Sequence, residues 1–331
     1  MGNIKPFKIK PGDAIGVIAP ANPVKGVCAD DVMQRGYAYL RGKGFDVIEG
    51  ESLKESSRYH TSAPVETRVN EIHNFLKNDR VSCIMAFWGG FNSNQLLDYL
   101  DYDLIRSSRK IFIGYSDMTA LTTAITTKTG LITFSGPAVI SFAKPEPFDY
   151  TWSHFEEMCV AGRGAPIVSS EAFADDMYFL RQDNNHRVLK RNEGIKVFNG
   201  GAVSGEIVAG NLQTLLALVG TQYMPDVTGR IIFIEDDEES SPAMIDRCIC
   251  QLQQMGWFER IAGLVIGRFT QYSGFSSEDS IESIIGRYTA GKKFPVLYNA
   301  DFGHSDPMFT IPVGGTCSIN AAQIRFDAAV E

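Results

Sequence analysis

Reacting groups sit where a rigid scaffold delivers them to solvent, so hydroxyls, imidazoles and carboxylates at the ends of apolar runs are read first. The stretch IFIGYSDMTA (111–120) closes an apolar run with Gly114-Tyr115-Ser116-Asp117 and then takes on a helical pattern. Ser116 meets three demands of a nucleophile: it ends a buried strand, follows a glycine, and precedes a helix whose first amides can stabilise an oxyanion. The full G-x-S-x-G elbow is absent, because Met118 stands where the second glycine would be. The competing role is structural, with Ser116 or Asp117 as the N-cap of a helix starting near Met118. This segment alone leaves both roles open.

A serine nucleophile needs a base, and the base needs a third group to hold its tautomer. The chain has 5 histidines. His60 lies in a polar loop, His73 on a charged helix face, His154 beside a break in the pattern and His186 in a polar turn, and each reads as surface or structural. His304 differs: it lies in ADFGHSDPMFTIPVGG, after a strand and inside a Gly-Asp-Pro turn. The carboxylates crowd at RIIFIEDDEES. Glu235, last in the alternating strand, is best placed to enter a cleft, while Asp237 to Glu239 read as an acidic turn meeting the dipole of the next helix. Carboxylates at a strand end could also hold a hard cation, but no spaced Asp or His set accompanies them, so no metal is expected.

Gly89-Gly90 follows the strand VSCIMAF at the same edge of the sheet, where glycine lets backbone N–H groups approach a ligand. A plain strand-to-helix turn is the alternative. No G-x-G-x-x-G occurs, so a dinucleotide fingerprint is unsupported.

The elements that must position these residues read as an α/β fold. Apolar, β-branched runs at 14–20, 45–50, 81–87 and 110–116 alternate with helical segments at 29–42, 65–77, 93–99 and 117–128. That rhythm predicts βα units and a mainly parallel sheet, with function at the carboxyl ends of its strands. The pattern breaks around 143–165. From 166 to 209 short strands and turns are expected, with DNNH and FNGG as hairpin candidates, and then a helix from Gly210-Asn211 to Leu218. Strands at 230–236 and 263–267, helices at 241–256 and 277–288, and a tail of strands complete a second α/β unit of more antiparallel character. The expected division is 1–150 with the serine, 151–200 as a linking and substrate-loop segment, and 201–331 with Glu235 and His304.

Composition narrows the function classes. The chain of 331 residues is 44% hydrophobic and 21% charged, which suits an ordered globular protein. Its formal net charge of −8 and scattered basic residues disfavour nucleic acid or an anionic membrane as partner. His186 to Arg191 reads as a solvated hairpin or loop edge. The 6 cysteines show no C-x-x-C spacing. The first residues lack a signal-peptide h-region, Pro6 breaks a myristoylation pattern, and no apolar run approaches the roughly 20 residues of a membrane span. A cytoplasmic, disulfide-free protein is expected.

Taken together, GVIAPANP, GGFNSNQLLDYLDYDLI (89–105), IGYSDMTAL (113–121), AGNLQTL (209–215), FIED (233–236) and GHSDPMFTIPVGG (303–315) resemble the Ser–Glu–His LD-carboxypeptidase family. That family includes murein LD-carboxypeptidases and microcin C self-immunity amidases. The order and spacing of the motifs over nearly the whole chain make the match specific. The resemblance implies a Rossmann-like N-terminal domain, a smaller C-terminal domain, and a cofactor-free site at their interface, often beside a homodimer contact. It implies that Ser116 attacks a carbonyl, His304 acts as base and then acid, Glu235 orients the imidazole, and the N–H groups of Gly90 and Asp117 form the oxyanion hole.

Gly89 and Asn211 would border the substrate, Asn211 having an N-cap role as its alternative. G-G-x-N-S-N and the segment 166–200 resemble the microcin-immunity branch, where the murein enzymes commonly carry R-G-G-Y-G. Two features depart from that branch. MYFLRQ, with Leu180, occupies the place of a base-stacking Trp, and Glu238 or Glu239 that of a Lys beyond the acid. Phe173, Tyr178, Phe179 or Trp152 could meet a ring instead, or simply pack. The expected function is hydrolysis of a peptide or aminoacyl-nucleotide amide, with release of D-Ala from a murein tetrapeptide as the alternative. A silent peptide- or nucleotide-binding protein is the reading from another class.

Overall fold

The computed structural model describes residues 3–55, 60–146, 148–176 and 187–331. The expected DNNH hairpin, His186, Tyr178, Phe179 and Leu180 lie outside the described residues.

The first half builds β1 (Ala14–Ile18), α1 (Asp30–Gly42), β2 (Asp46–Glu49), α2 (Val65–Lys77), β3 (Val81–Ala86), α3 (Tyr102–Ser108), β4 (Ile111–Gly114), α4 (Met118–Thr129) and β5 (Thr133–Ser135). The run at 93–99, expected as a helix, is the tighter 3₁₀ form. β1, β4 and β5 are buried at every residue, as parallel strands covered on both faces must be. All five pair in parallel in the order β2-β1-β3-β4-β5, so the order of strand addition switches sides between β1 and β3. Gly89-Gly90 and Ser116 leave β3 and β4 at that carboxyl edge.

Two short helices, α5 (Val139–Phe142) and α6 (Asp149–Phe155), lead into the second half. There follow β6 (Pro166–Ile167), β7 (Ala172–Phe173), β8 (Lys190–Arg191), β9 (Lys196–Asn199), β10 (Ala202–Asn211) and α7 (Leu212–Ala217). Next come β11 (Ile231–Glu235), α8 (Pro242–Gln254), β12 (Gly263–Gly267), α9 (Ile281–Thr289), β13 (Val296–Ala300), β14 (Ile311–Val313), β15 (Thr316–Asn320) and β16 (Gln323–Phe326). The second sheet runs β6-β16-β15-β10-β11-β12-β13-β9, parallel from β10 to β13 and antiparallel outside. β7 and β8 make a separate two-stranded ladder.

FNGG is not a hairpin. β9 pairs with β13, whereas β10 pairs with β15 along its first half and β11 along its second. The glycines let the chain cross the sheet instead of folding back on it: Gly201 lies against Pro295, and Gly205 against the Gly229 carbonyl.

β14 belongs to the first sheet, where it pairs antiparallel with β5. The chain from β14 to β15 then meets β10, through Gly314 N–H to Ile207 C=O at 2.8 Å and Ile207 N–H to Gly315 C=O at 2.9 Å. α4 packs against β5, β14, β10 and α7, and so stands between the two sheets. That position explains a helix buried almost all round despite its threonines, because their hydroxyls bond to carbonyls within reach: Thr122 to Met118, Thr129 to Ile125 and Thr126 to Leu131.

Candidate active site

The turn from β4 to α4 answers the question posed by IFIGYSDMTA. Ser116 has φ 60°, left-handed for a non-glycine residue, a conformation that costs about 1 kcal/mol or more. Asp117 takes the N-cap position with helical φ and ψ, and no side chain caps the helix. The carbonyls of Tyr115, Ser116 and Asp117 instead accept from Met118, Thr119 and Ala120 N–H at 3.2, 3.0 and 3.1 Å. The hydroxyl is therefore not spent on a cap. The Asp117 carboxylate faces away from the helix end and accepts from Ser93 N–H at 2.7 Å, while Ser93 Oγ donates to the Asp117 carbonyl at 2.6 Å. Burial raises the Asp117 carboxyl above its ordinary range, against the pull of those bonds and of the Arg68 guanidinium. This pair ties the loop after Gly89-Gly90 to the Ser116 turn.

Gly89 is required by proximity: a Cβ there would lie 2.7 Å from both Cβ and Oγ of Ser116. Gly90, at φ 142°, packs on Asn22, whose N–H donates to the Gly89 carbonyl at 3.2 Å. Neither the Gly90 nor the Asp117 N–H donates to a protein acceptor among the described residues.

His304 and Glu235 come from the second half. Glu235 ends β11, beside Asn211 at the end of β10. His304 follows Gly303, whose φ of 104° and lack of Cβ let the loop close over the Glu235 carboxylate. His304 Nδ1 lies 2.6 Å from Glu235 Oε2, and the Tyr115 ring meets the imidazole edge-on at 5.1 Å between centroids. Burial alone would lower the imidazole pKa. The adjacent Glu235 carboxylate, helped by Glu238 and Asp237, outweighs burial and lifts it to about 9.

Ser116 and His304 line one cleft of about 200 Å³, together with Asn22, Trp88, Gly89, Gly90 and Tyr115. A second hollow of about 130 Å³, bordered by Asn94, Asn211, Gln213 and Asp237, shares Ser116 and Gly90 with the first. Ser116 thus stands at the divide between two compartments. A hydroxyl at such a divide, an imidazole held by a carboxylate and two undonated amides have the composition of an acyl-transfer site.

Residues 15–136 match the LD-carboxypeptidase N-terminal domain and residues 204–319 the LD-carboxypeptidase C-terminal domain. The chain belongs to the LD-carboxypeptidase family. It is 37% identical to a putative carboxypeptidase, YocD, of Bacillus subtilis, over 95% of each chain. It is 34% identical to the microcin C7 self-immunity protein MccF of Escherichia coli, over 93% of this chain and 91% of MccF. Its fold superposes on the crystal structure of an MccF-like protein from Bacillus anthracis with a TM-score of 0.93 and 34% identity, covering 98% of this chain and 99% of that one. The protein is accordingly a serine-type carboxypeptidase, a hydrolase.

Other expectations for this LD-carboxypeptidase fared unevenly. Asn211 does cap α7, its Oδ1 accepting from Thr214 N–H at 3.0 Å, and it also borders the smaller hollow. Its Nδ2 donates to Asp236, a carboxyl that burial and the neighbouring Glu235 push up to about 6. Asp237 to Glu239 lie in the turn ahead of α8, which Ser241 caps and Pro242 starts. Asp237 also reaches the smaller hollow and Glu238 the larger cleft. Trp152 is buried among Tyr39, Phe45, Phe142 and Phe155, and Phe173 lies beneath the Arg268 guanidinium; neither lines the cleft. His154 packs on Tyr150 and His73 accepts from Asp101 N–H, both structural as expected. Among the described residues no group of three His, Cys, Asp or Glu could hold a metal.

Sequence reasoning missed one wall of the cleft, formed by Lys144, Asp175, Asp176, Arg187 and Asp306. Arg187, expected on a solvated edge, is buried and ion-paired to Asp176 and Asp306. Only Asp306, inside GHSDP, stood in a motif that could have flagged it.

Proposed function

We propose that Ser116, His304 and Glu235 act as a Ser–His–Glu triad that hydrolyses an amide, with the N–H groups of Gly90 and Asp117 as the oxyanion hole. The observation that carries this reading is the 2.6 Å contact between His304 Nδ1 and Glu235 in the cleft that Ser116 lines. Glu235 fixes the tautomer with hydrogen on Nδ1, which leaves Nε2 to accept the proton of Ser116 Oγ as that oxygen bonds to the carbonyl carbon. The tetrahedral oxyanion takes hydrogen bonds from the two amides. Collapse breaks the C–N bond, His304 returns its proton to the leaving nitrogen, and water repeats the cycle on the acyl-enzyme.

The microcin-immunity type of substrate, an aminoacyl group joined to a nucleotide-like moiety, is supported by the 34% identity to MccF. MccF itself has been solved in complex with glutamyl sulfamoyl guanosine at 30% identity and a TM-score of 0.90. Release of D-Ala from a murein tetrapeptide is the second reading. It is favoured by Glu238, a carboxylate that lines the cleft near where the immunity branch carries a lysine beyond the acid.

Ser116→Ala is expected to lower kcat on the true substrate by roughly 10⁴-fold or more while leaving the melting temperature nearly unchanged. Hydrolysis retained in a clean preparation of that variant overturns the triad. Comparing kcat/KM for an aminoacyl sulfamoyl nucleotide with that for an L,D-tetrapeptide decides between the two substrate classes.

A further inference from the structure

The triad does not use the charged wall of the cleft, and that wall is unusually well built. Arg187 Nε lies 2.9 and 3.1 Å from the two carboxylate oxygens of Asp176, and Nη2 lies 2.8 Å from Asp306 Oδ2. The Lys144 ammonium pairs with the same Asp306 oxygen. The side chains of Arg187, Asp176 and Asp306 are 2%, 3% and 7% exposed, so the cluster is all but dry. Buried ion pairs seldom outperform apolar packing as stabilisers. Four charges retained there call for a reason other than stability.

Their place in the chain supplies one. Asp306 is two residues beyond His304, and its main chain exchanges two hydrogen bonds with Ala174, each 2.8 Å long. Ala174 and Asp176 belong to the strand-like stretch after β7, and Arg187 to the stretch leading into β8. One guanidinium therefore pins both stretches to the loop that carries the imidazole. His304 itself is held by its side chain at Glu235 and at the edge of Tyr115. The rest of its placement must come from the 303–306 backbone.

We propose that Arg187 is a positioning residue for His304: by bridging Asp176 and Asp306 it clamps the 303–306 loop to Ala174 and keeps the imidazole registered on Glu235. The role needs arginine, because a planar fork reaches two carboxylates at once where an ammonium is a single point of charge. Lys144 meets Asp306 at the same oxygen, as a single point of charge. The inference rests on His304 being the base of the proposed triad, although its structural half can be read without turnover.

Arg187→Lys keeps the charge and forfeits the bridge. Its expected signature is a kcat reduced roughly 10- to 100-fold, the scale of an ångström-level misplacement, with KM within about threefold and the melting temperature within a few degrees of wild type. In parallel, the low-field proton resonance of the His304–Glu235 hydrogen bond, identified by its loss in His304→Ala, should broaden or move upfield. Should Arg187→Lys fail to accumulate as folded protein, the near-isosteric Asp306→Asn must produce the same pair of effects. A variant with wild-type kcat and an unmoved resonance overturns the proposal, as does a loss confined to KM, which would make Arg187 a substrate contact. Full activity of His304→Ala would instead sink the triad, and the resonance would still report whether Arg187 holds the ring.

Discussion

His304 is asked to be a base in a setting that favours its acid form. With its pKa at about 9, most of the imidazole is protonated at neutral pH in the free enzyme, and the fraction able to accept the Ser116 proton rises with pH. We therefore expect kcat/KM to climb through neutrality, pass half its plateau near pH 9 and level off only above that. The same group acts oppositely on stability. Its folded pKa lies above the ordinary 6.5, so its contribution is complete below about pH 6.5 and is lost as pH rises through about 9. Activity and the denaturation midpoint should thus move in opposite directions across that window. In Glu235→Gln the lifting charge is gone, so the stability slope should flatten and the residual activity should shift to lower pH. A slope that survives the substitution assigns the titration elsewhere. Gly89 makes a steric counterpart to this electrostatic test. In Gly89→Ala the new Cβ must displace Ser116, 2.7 Å away, so kcat should drop by roughly 10²-fold with little change in melting temperature. Equal losses of both would mean that the strand end, and not the nucleophile, had been damaged.

At the scale of elements, the site hangs on how strands end. β4 ends in the strained Ser116 turn, β11 ends at Glu235, and β10 ends at Asn211, which closes the strand and caps α7 in one residue. Asn211→Ala removes the cap and takes a donor from Asp236, so a loss of roughly 1–3 kcal/mol is expected from denaturant midpoints. Asn211→Asp keeps the acceptor for Thr214 but sets a carboxylate against Asp236. It should therefore be stable only at pH low enough to protonate one of the two; a midpoint independent of pH would contradict the contact. Such strands were legible because fully buried parallel strands read as unbroken apolar runs, and their carboxyl ends followed from the βα rhythm. Ser116, Glu235 and His304 stood at or just after strand ends, which left Ser116 between nucleophile and cap, and only the resemblance of the ordered motifs joined the three. What escaped notice depends on partners distant in sequence. Gly200-Gly201 looks like a hairpin turn until β13 claims β9. The Arg187 clamp joins residues 119 apart, and a charge pair carries no periodicity to betray it.

For the whole molecule, the decisive feature is that the first sheet is not finished by the first half of the chain. β14 covers the β5 edge, an edge strand being a liability when left open, and α4 needs β10 as well as β5 to bury its far side. The termini add a second tie: Lys8 N–H donates to the Glu331 carbonyl and Glu331 N–H to the Pro6 carbonyl, each at 3.0 Å. The helix that follows Ser116 thus completes its burial only against β10 and β14 of the second half, which couples folding of the scaffold to assembly of the site. Chains of this length often unfold in stages, so a stringent expectation follows. Calorimetry of the intact protein should give one transition with van't Hoff and calorimetric enthalpies that agree, and tryptophan fluorescence and far-ultraviolet dichroism should coincide with it. Residues 1–150 expressed alone should show native-like helix content without a cooperative melt, because β5 is uncovered and α4 has lost half its packing. Adding residues 151–331 in trans should restore both the sharp melt and the labelling of Ser116 by a serine-directed probe. A fragment 1–150 that melts sharply by itself, or two separated transitions in the full chain, would show that β14 decorates an already stable sheet instead of completing it. The site would then be an interface between two independent bodies, with a serine turn already formed before its histidine arrives.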